Sequence, residues 1–146
     1  MTILDAHAVL AFLKNEPAAD EVEQLLLTGG VLTAVGVVEV IDHLVRIAGG
    51  DEEEASLDLA QLGLDDAVVL DSVVASAAGR LRARHYHRTR CPISLADCVA
   101  AEVARSTGRS LATSDPALLD VCHHEQIPLT VLPRTDGSRW SPPRPV

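Results

Sequence analysis

The stretch Ile3-Leu4-Asp5-Ala6-His7-Ala8-Val9-Leu10 decides how the rest of the chain is read. Ile3 and Leu4 close a short apolar run that ends at Asp5. Ala8, Val9, Leu10, Phe12 and Leu13 then recur at helical spacing until Asn15 to Pro17 interrupt them. Working outward, the same alternation of short apolar runs and longer amphipathic stretches continues. A helix fits Ala18 to Leu27, a short strand Val31 to Thr33, and an amphipathic helix residues 36 to 48, with Val37, Val40, Ile41, Leu44, Val45 and Ala48 on its apolar side. Asp51 to Glu54 read as a solvated helix start, where the backbone dipole favours acids. Val68 to Leu70 is a third strand, Ser72 to Arg84 and Leu95 to Ser106 are helices, Ser110 to Thr113 is a strand, a short helix starts near Pro116, and Leu129 to Leu132 completes the sheet. The expected class is α/β, in three layers (α/β/α) around a central, mostly parallel sheet of four or five short strands. Residues 1–132 form one domain; residues 133–146, with four prolines and three arginines, form an extended tail.

Composition narrows the function. The 146 residues are 47% hydrophobic and 23% charged, with no apolar run near the ~18 residues of a membrane span and no visible targeting pattern. Phe12, Tyr86 and Trp140 are the only aromatics, too few for a sheet that stacks bases. A net charge of -9 argues against gripping a phosphate backbone by bulk charge, so a polyphosphate partner must meet a local patch or bound cations. Cys91, Cys98 and Cys122 have no CxxC spacing and read as reduced thiols of a cytoplasmic protein.

Four acids stand at the ends of elements. Taken singly, Asp5 caps a helix, Asp115 is an N-cap before Pro116, Asp97 completes a Ser-x-x-Asp capping box with Ser94, and Glu39 is a solvated position beside Asp42, His43 and Arg46. Taken together, Asp5 and Asp115 sit at the carboxyl ends of strands, where an open α/β sheet gathers ligands, and Asp97 and Glu39, near the starts of helices, are expected to face the same crevice. Two carboxylates about 4 Å apart repel by roughly 4 kcal/mol at an effective dielectric near 20, so four of them call for a cation. An all-oxygen donor set favours Mg²⁺ or Mn²⁺ over zinc.

These residues carry a family resemblance. Ile3-Leu4-Asp5-Ala6-His7-Ala8-Val9-Leu10, Val38-Glu39-Val40-Ile41, Leu95-Ala96-Asp97-Cys98 and Leu111-Ala112-Thr113-Ser114-Asp115, with 34, 58 and 18 residues between successive acids, resemble PIN-domain ribonucleases, most closely the VapC-like toxins of type II toxin-antitoxin modules. The resemblance spans roughly residues 1 to 132. It implies a Mg²⁺-dependent endoribonuclease acting on transfer or ribosomal RNA, with Asp5, Glu39, Asp97 and Asp115 as catalytic acids. Asp5, Asp97 and Asp115 would be the metal ligands, Glu39 would orient a water, and Thr113 would support the last acid. It also implies a homodimer and a cognate antitoxin, whose basic side chain would enter among the carboxylates. Two positions depart from the pattern: His7 replaces a small hydroxyl residue and is expected at the rim of the first helix, and Gly36 replaces an asparagine that would orient Glu39.

Residues 80 to 90 hold five of the eleven arginines, and Arg80, Arg82, Arg84, Arg88 and Arg90 are candidates for guiding an RNA backbone; a solvated helix end is the competing reading. His123 and His124 beside Cys122 read as surface histidines, and Trp140 as folding back onto the domain. The competing function is a catalytically inactive PIN-like module that binds RNA or protein. A haloacid-dehalogenase-like phosphatase would need a second Asp where His7 stands, and a receiver domain a strand-end lysine, whereas the only lysine is Lys14.

Overall fold

The computed structural model describes residues 1–145. Strand β1 (Thr2–Leu4) leads into α1 (Ala6–Leu13) and α2 (Ala19–Leu27). Helix α3 (Ala34–Asp42) runs on into a π-helical turn (His43–Ile47), followed by α4 (Glu52–Gln61), α5 (Ser72–His85) and α6 (Leu95–Thr107). Strand β2 (Ser110–Thr113), α7 (Pro116–His124) and β3 (Leu129–Val131) complete the order. The strands lie side by side as β1-β2-β3, all parallel, with Ile3 opposite Leu111 and Ala112 opposite Thr130.

The sheet has three strands rather than the four or five expected. Val31 to Thr33 and Val68 hold the two further positions through single parallel bridges, Ile3 to Val31 and Thr33 to Val68. The physical reason is local. Thr33 turns its hydroxyl to the Gly36 N–H at 2.9 Å and caps α3, so the chain leaves its extended path after three residues. The π-helical turn was also unforeseen, since apolar spacing does not separate a widened turn from an ordinary one.

Alternating side chains send the sheet into two cores. Ile3 and Leu111 pack with Leu81, Ile93, Val103 and Leu118 from α5, α6, α7 and the loop before α6. Leu4 and Ala112 face the other way, onto Val9 and Leu10 of α1, Val22 of α2, Val40 of α3 and Leu59 of α4. This gives the three layers the sequence implies. All of these side chains are at most 3% exposed. The tail is not free: Arg139 pairs with Glu21 and donates to the Val131 carbonyl at 3.0 Å, while Trp140 Nε1 donates to Asp120 at 2.8 Å. No helix among the described residues is long and apolar enough to cross a membrane.

Candidate active site

Parallel strands aim their carboxyl ends in one direction, so Asp5, directly after β1, and Asp115, two residues after β2, emerge on the same edge. Each capping role expected of a single acid is present. Asp5 Oδ1 accepts from the Ala8 N–H at 2.7 Å, Asp115 Oδ1 from Ala117 N–H at 3.0 Å, and Asp97 Oδ2 from Ser94 N–H at 2.9 Å, closing a full capping box. Capping does not exhaust these groups, because each cap occupies one oxygen and a carboxylate has about four lone-pair sites.

Thr113 binds the arrangement together. Its hydroxyl donates to Asp5 Oδ2 and accepts from the Asp115 N–H at 3.1 Å, so one fully buried side chain connects the first acid to the loop carrying the last. Asp97, from the first turn of α6, stands within the field of the other three. Its charge raises the pKa of Asp5 and of Glu39, and Asp115 in turn raises that of Asp97.

Burial is nevertheless the larger influence. It pushes the Asp5 carboxyl up to about 6, against the hydrogen bonds from Thr113 and Ala8 that favour its ionised form. Asp97 and Glu39 are raised first by burial and then by neighbouring charge, with the Ser94 backbone bond and His7 respectively acting in the opposite sense. Among the described residues no three His, Cys, Asp or Glu side chains stand close enough to enclose an ion as arranged. The donor chemistry still fits a hard dication: the gathered groups are oxygen-bearing, mutually repelling and partly withdrawn from water.

His7 stands at the rim of α1, as expected. It is exposed, its Nδ1 lies 3.8 Å from Glu39 Oε1, and its charge lowers the pKa of Asp5, Glu39 and Asp97. Gly36 is enclosed as well, since a Cβ there would meet Leu32 Cδ2 at 3.2 Å. The contact of His7 with Glu39 could not be read from spacing, because the two come from different helices.

The arginine segment divides. Arg82 donates from Nε to the Ile93 carbonyl at 3.0 Å and lies over the Tyr86 ring at 4.3 Å. Arg84 pairs with Glu125 at 3.1 Å, in a group that also includes His85 and Arg105. Arg80 donates to Ser76 at 2.7 Å. Arg88 and Arg90 are exposed and make no ion pair among the described residues. His123 and His124 are exposed and meet Trp140 and His85 edge-on. Burial pushes the Cys98 and Cys122 thiols up to about 12, so neither is a nucleophile near neutral pH.

Asp5 and Asp115 follow parallel strands of an α/β sheet, at the edge where open α/β folds bind their ligands. The sequence profile of the PIN domain family matches residues 2–123, and the chain belongs to that family. Solved structures share the fold at low identity. FitAB bound to the IR36 DNA fragment is 18% identical with a TM-score of 0.68, over 89% of this chain and 94% of that one. VapBC-1 from nontypeable Haemophilus influenzae is 20% identical with a TM-score of 0.63, over 88% and 96%. PAE2754 from Pyrobaculum aerophilum is 22% identical with a TM-score of 0.58, over 82% and 83%. No protein with a curated function matches the chain in sequence.

Proposed function

We propose that the chain is a Mg²⁺-dependent endoribonuclease, with Mn²⁺ able to substitute, and that it is the toxin of a type II toxin-antitoxin pair acting on transfer or ribosomal RNA. The observation that carries this reading is the buried Thr113 hydroxyl that joins Asp5 to the loop of Asp115 at the carboxyl edge of a parallel sheet. Membership of the PIN family supports it. Asp5, Asp97 and Asp115 would hold the ion through lone pairs their capping bonds leave over. When bound, such an ion lowers the pKa of a water and offsets charge developing on the phosphate oxygens.

The chain's own groups supply the rest. Glu39, beside His7, orients the attacking water towards phosphorus. The Thr113 hydroxyl fixes the Asp5 rotamer and keeps the first and last acids in register. No protein nucleophile takes part. Exposed Arg88 and Arg90 steer the RNA backbone, and they suit that task better than Arg82 and Arg84, which are already engaged.

The likeness to VapBC-1, and to FitAB in its complex with DNA, supports a cognate antitoxin as partner; a homodimer as the working form belongs to the same proposal. The second reading, a catalytically inactive PIN-like module binding RNA or protein, draws on the capping bonds that Asp5, Asp97 and Asp115 already make. Incubating the partner-free chain with total RNA separates the two. Cleavage is expected with Mg²⁺, and it should vanish with EDTA and in Asp97→Asn. Absence of cleavage with either ion, or equal cleavage by the variant, would overturn the nuclease reading.

A further inference from the structure

A cavity of about 370 Å³ opens beside the acids, sharing His7 and Asp115 with them. One face of α1 lines it, from Leu10 to Lys14, with His43 from the π-helical turn, Pro116 from the start of α7, and Pro133 and Arg134 from the segment after β3. That segment is held in place by the bonds of Arg139 and Trp140 to Glu21 and Asp120.

Two cations, Lys14 and Arg134, and two carboxylates, Glu16 and Asp115, line the cavity, so it is not acidic as the chain is. The net charge is -9, yet the single lysine and an arginine border this one space. Lys14 Nζ lies 2.7 Å from His43 Nε2, which takes one ammonium hydrogen and leaves two. Arg134 gives Nε to Ser138 Oγ at 3.1 Å, and its terminal nitrogens are not used in that bond. Neither cation makes an ion pair among the described residues, although Glu16 lines the same cavity. Leu10, Pro116 and Pro133 present apolar surface between them. A small-molecule-sized space with apolar walls and two cations in its lining suits one nucleotide rather than a helix or a duplex.

We propose that this cavity is the subsite for the nucleotide next to the bond that is cut, with its phosphate held by Lys14 and Arg134 and its base laid against Leu10, Pro116 and Pro133. The proposal rests on the nuclease reading and deepens it. The wall contributed by Pro133 and Arg134 lies beyond residues 2–123, so it is not a feature of the matched family profile.

Nucleoside 5′-monophosphates contain no phosphodiester bond to hydrolyse, so the wild-type chain can be titrated with them in Mg²⁺ by calorimetry. They are expected to bind at least tenfold more tightly than the matching nucleosides, and more tightly than inorganic phosphate. Lys14→Ala should raise the dissociation constant fivefold or more without changing the melting temperature, because Lys14 is exposed at a helix end. Arg134→Ala should act in the same direction; if it loosens the tail, Lys14→Ala carries the test alone. Equal binding of nucleoside and nucleotide, binding matched by inorganic phosphate, or indifference to Lys14→Ala would each overturn the subsite. RNA cut normally while nucleotide binding ignores Lys14 would remove the subsite and leave the nuclease. Lys14-dependent nucleotide binding with RNA left uncut would do the reverse.

Discussion

Replacing Asp5 with Asn removes one ionisation and leaves the shape of the side chain almost unchanged. The Asp5 carboxyl is pushed from 3.8 to about 6 in the folded chain, mainly by burial. A raised folded-state pKa means that the group's stability contribution is complete below pH 3.8 and is lost as pH rises to and through about 6. Roughly two pKa units correspond to about 3 kcal/mol, and at 4% exposure solvent screening takes little away. Asn Oδ1 can still accept from the Ala8 N–H, so the cap survives, whereas its NH2 group cannot accept from Thr113, a loss that shifts the variant's stability equally at every pH. Urea unfolding in EDTA between pH 4 and pH 8 measures the effect. Glu39 and Asp97, raised in the same sense, remain in both proteins, and relief of the repulsion between Asp97 and Asp5 is part of the measured difference. Relative to wild type, Asp5→Asn should therefore gain stability progressively across that range, by up to about 3 kcal/mol. With Mg²⁺ at about a hundred times its dissociation constant, linkage should return about 2.7 kcal/mol to the wild type. A wild-type-minus-variant difference that stays constant from pH 4 to pH 8 would refute the claim that Asp5 is ionised against its surroundings.

Changing both Arg88 and Arg90 to Glu should weaken binding of single-stranded RNA and flatten its salt dependence by about one to two phosphate contacts, as read by fluorescence anisotropy across a salt series; unchanged affinity would make the segment an ordinary solvated loop. Glu125→Gln takes the carboxylate away from Arg84, His85 and Arg105, of which Arg105 keeps Glu102, and should cost about 1–2 kcal/mol near pH 7. The bond from His85, followed by those from Arg105 and Arg84, holds the Glu125 carboxyl down to about 2, so its stabilisation is present above pH 4.5 and fades as pH falls through about 2. Wild type and variant should converge in acid melts, and a gap that persists at pH 2 would contradict that assignment.

Most of the architecture was legible because it rests on local signals. The Asp5, Asp71, Ser94 and Asp115 caps mark helix starts within a residue or two, and the two faces of Ile3-Leu4 and Leu111-Ala112 give the layers. Strand count was less legible, because Val31 to Thr33 and Val68 differ from true strands only in how soon the chain turns away. The acids were singled out by their place at element ends, where Asp5, Asp97 and Asp115 do make helix-capping bonds, and spacing cannot rank capping against ion binding. What escaped entirely was cross-element pairing. His7 with Glu39, Lys14 with His43, and Arg84 with Glu125 join residues 29 to 41 positions apart. One signal was available: His7, Leu10, Ala11 and Lys14 recur at i, i+3, i+4 and i+7, the spacing of a single helix face.

The most direct test is a Mn²⁺ titration followed by electron paramagnetic resonance, with calorimetry in Mg²⁺ beside it, on wild type and on Asp5→Asn, Asp97→Asn and Asp115→Asn. If these acids share a cation, each substitution should weaken the same binding event by tenfold or more. Wild-type affinity in all three variants, or no specific uptake of either ion, would contradict the account.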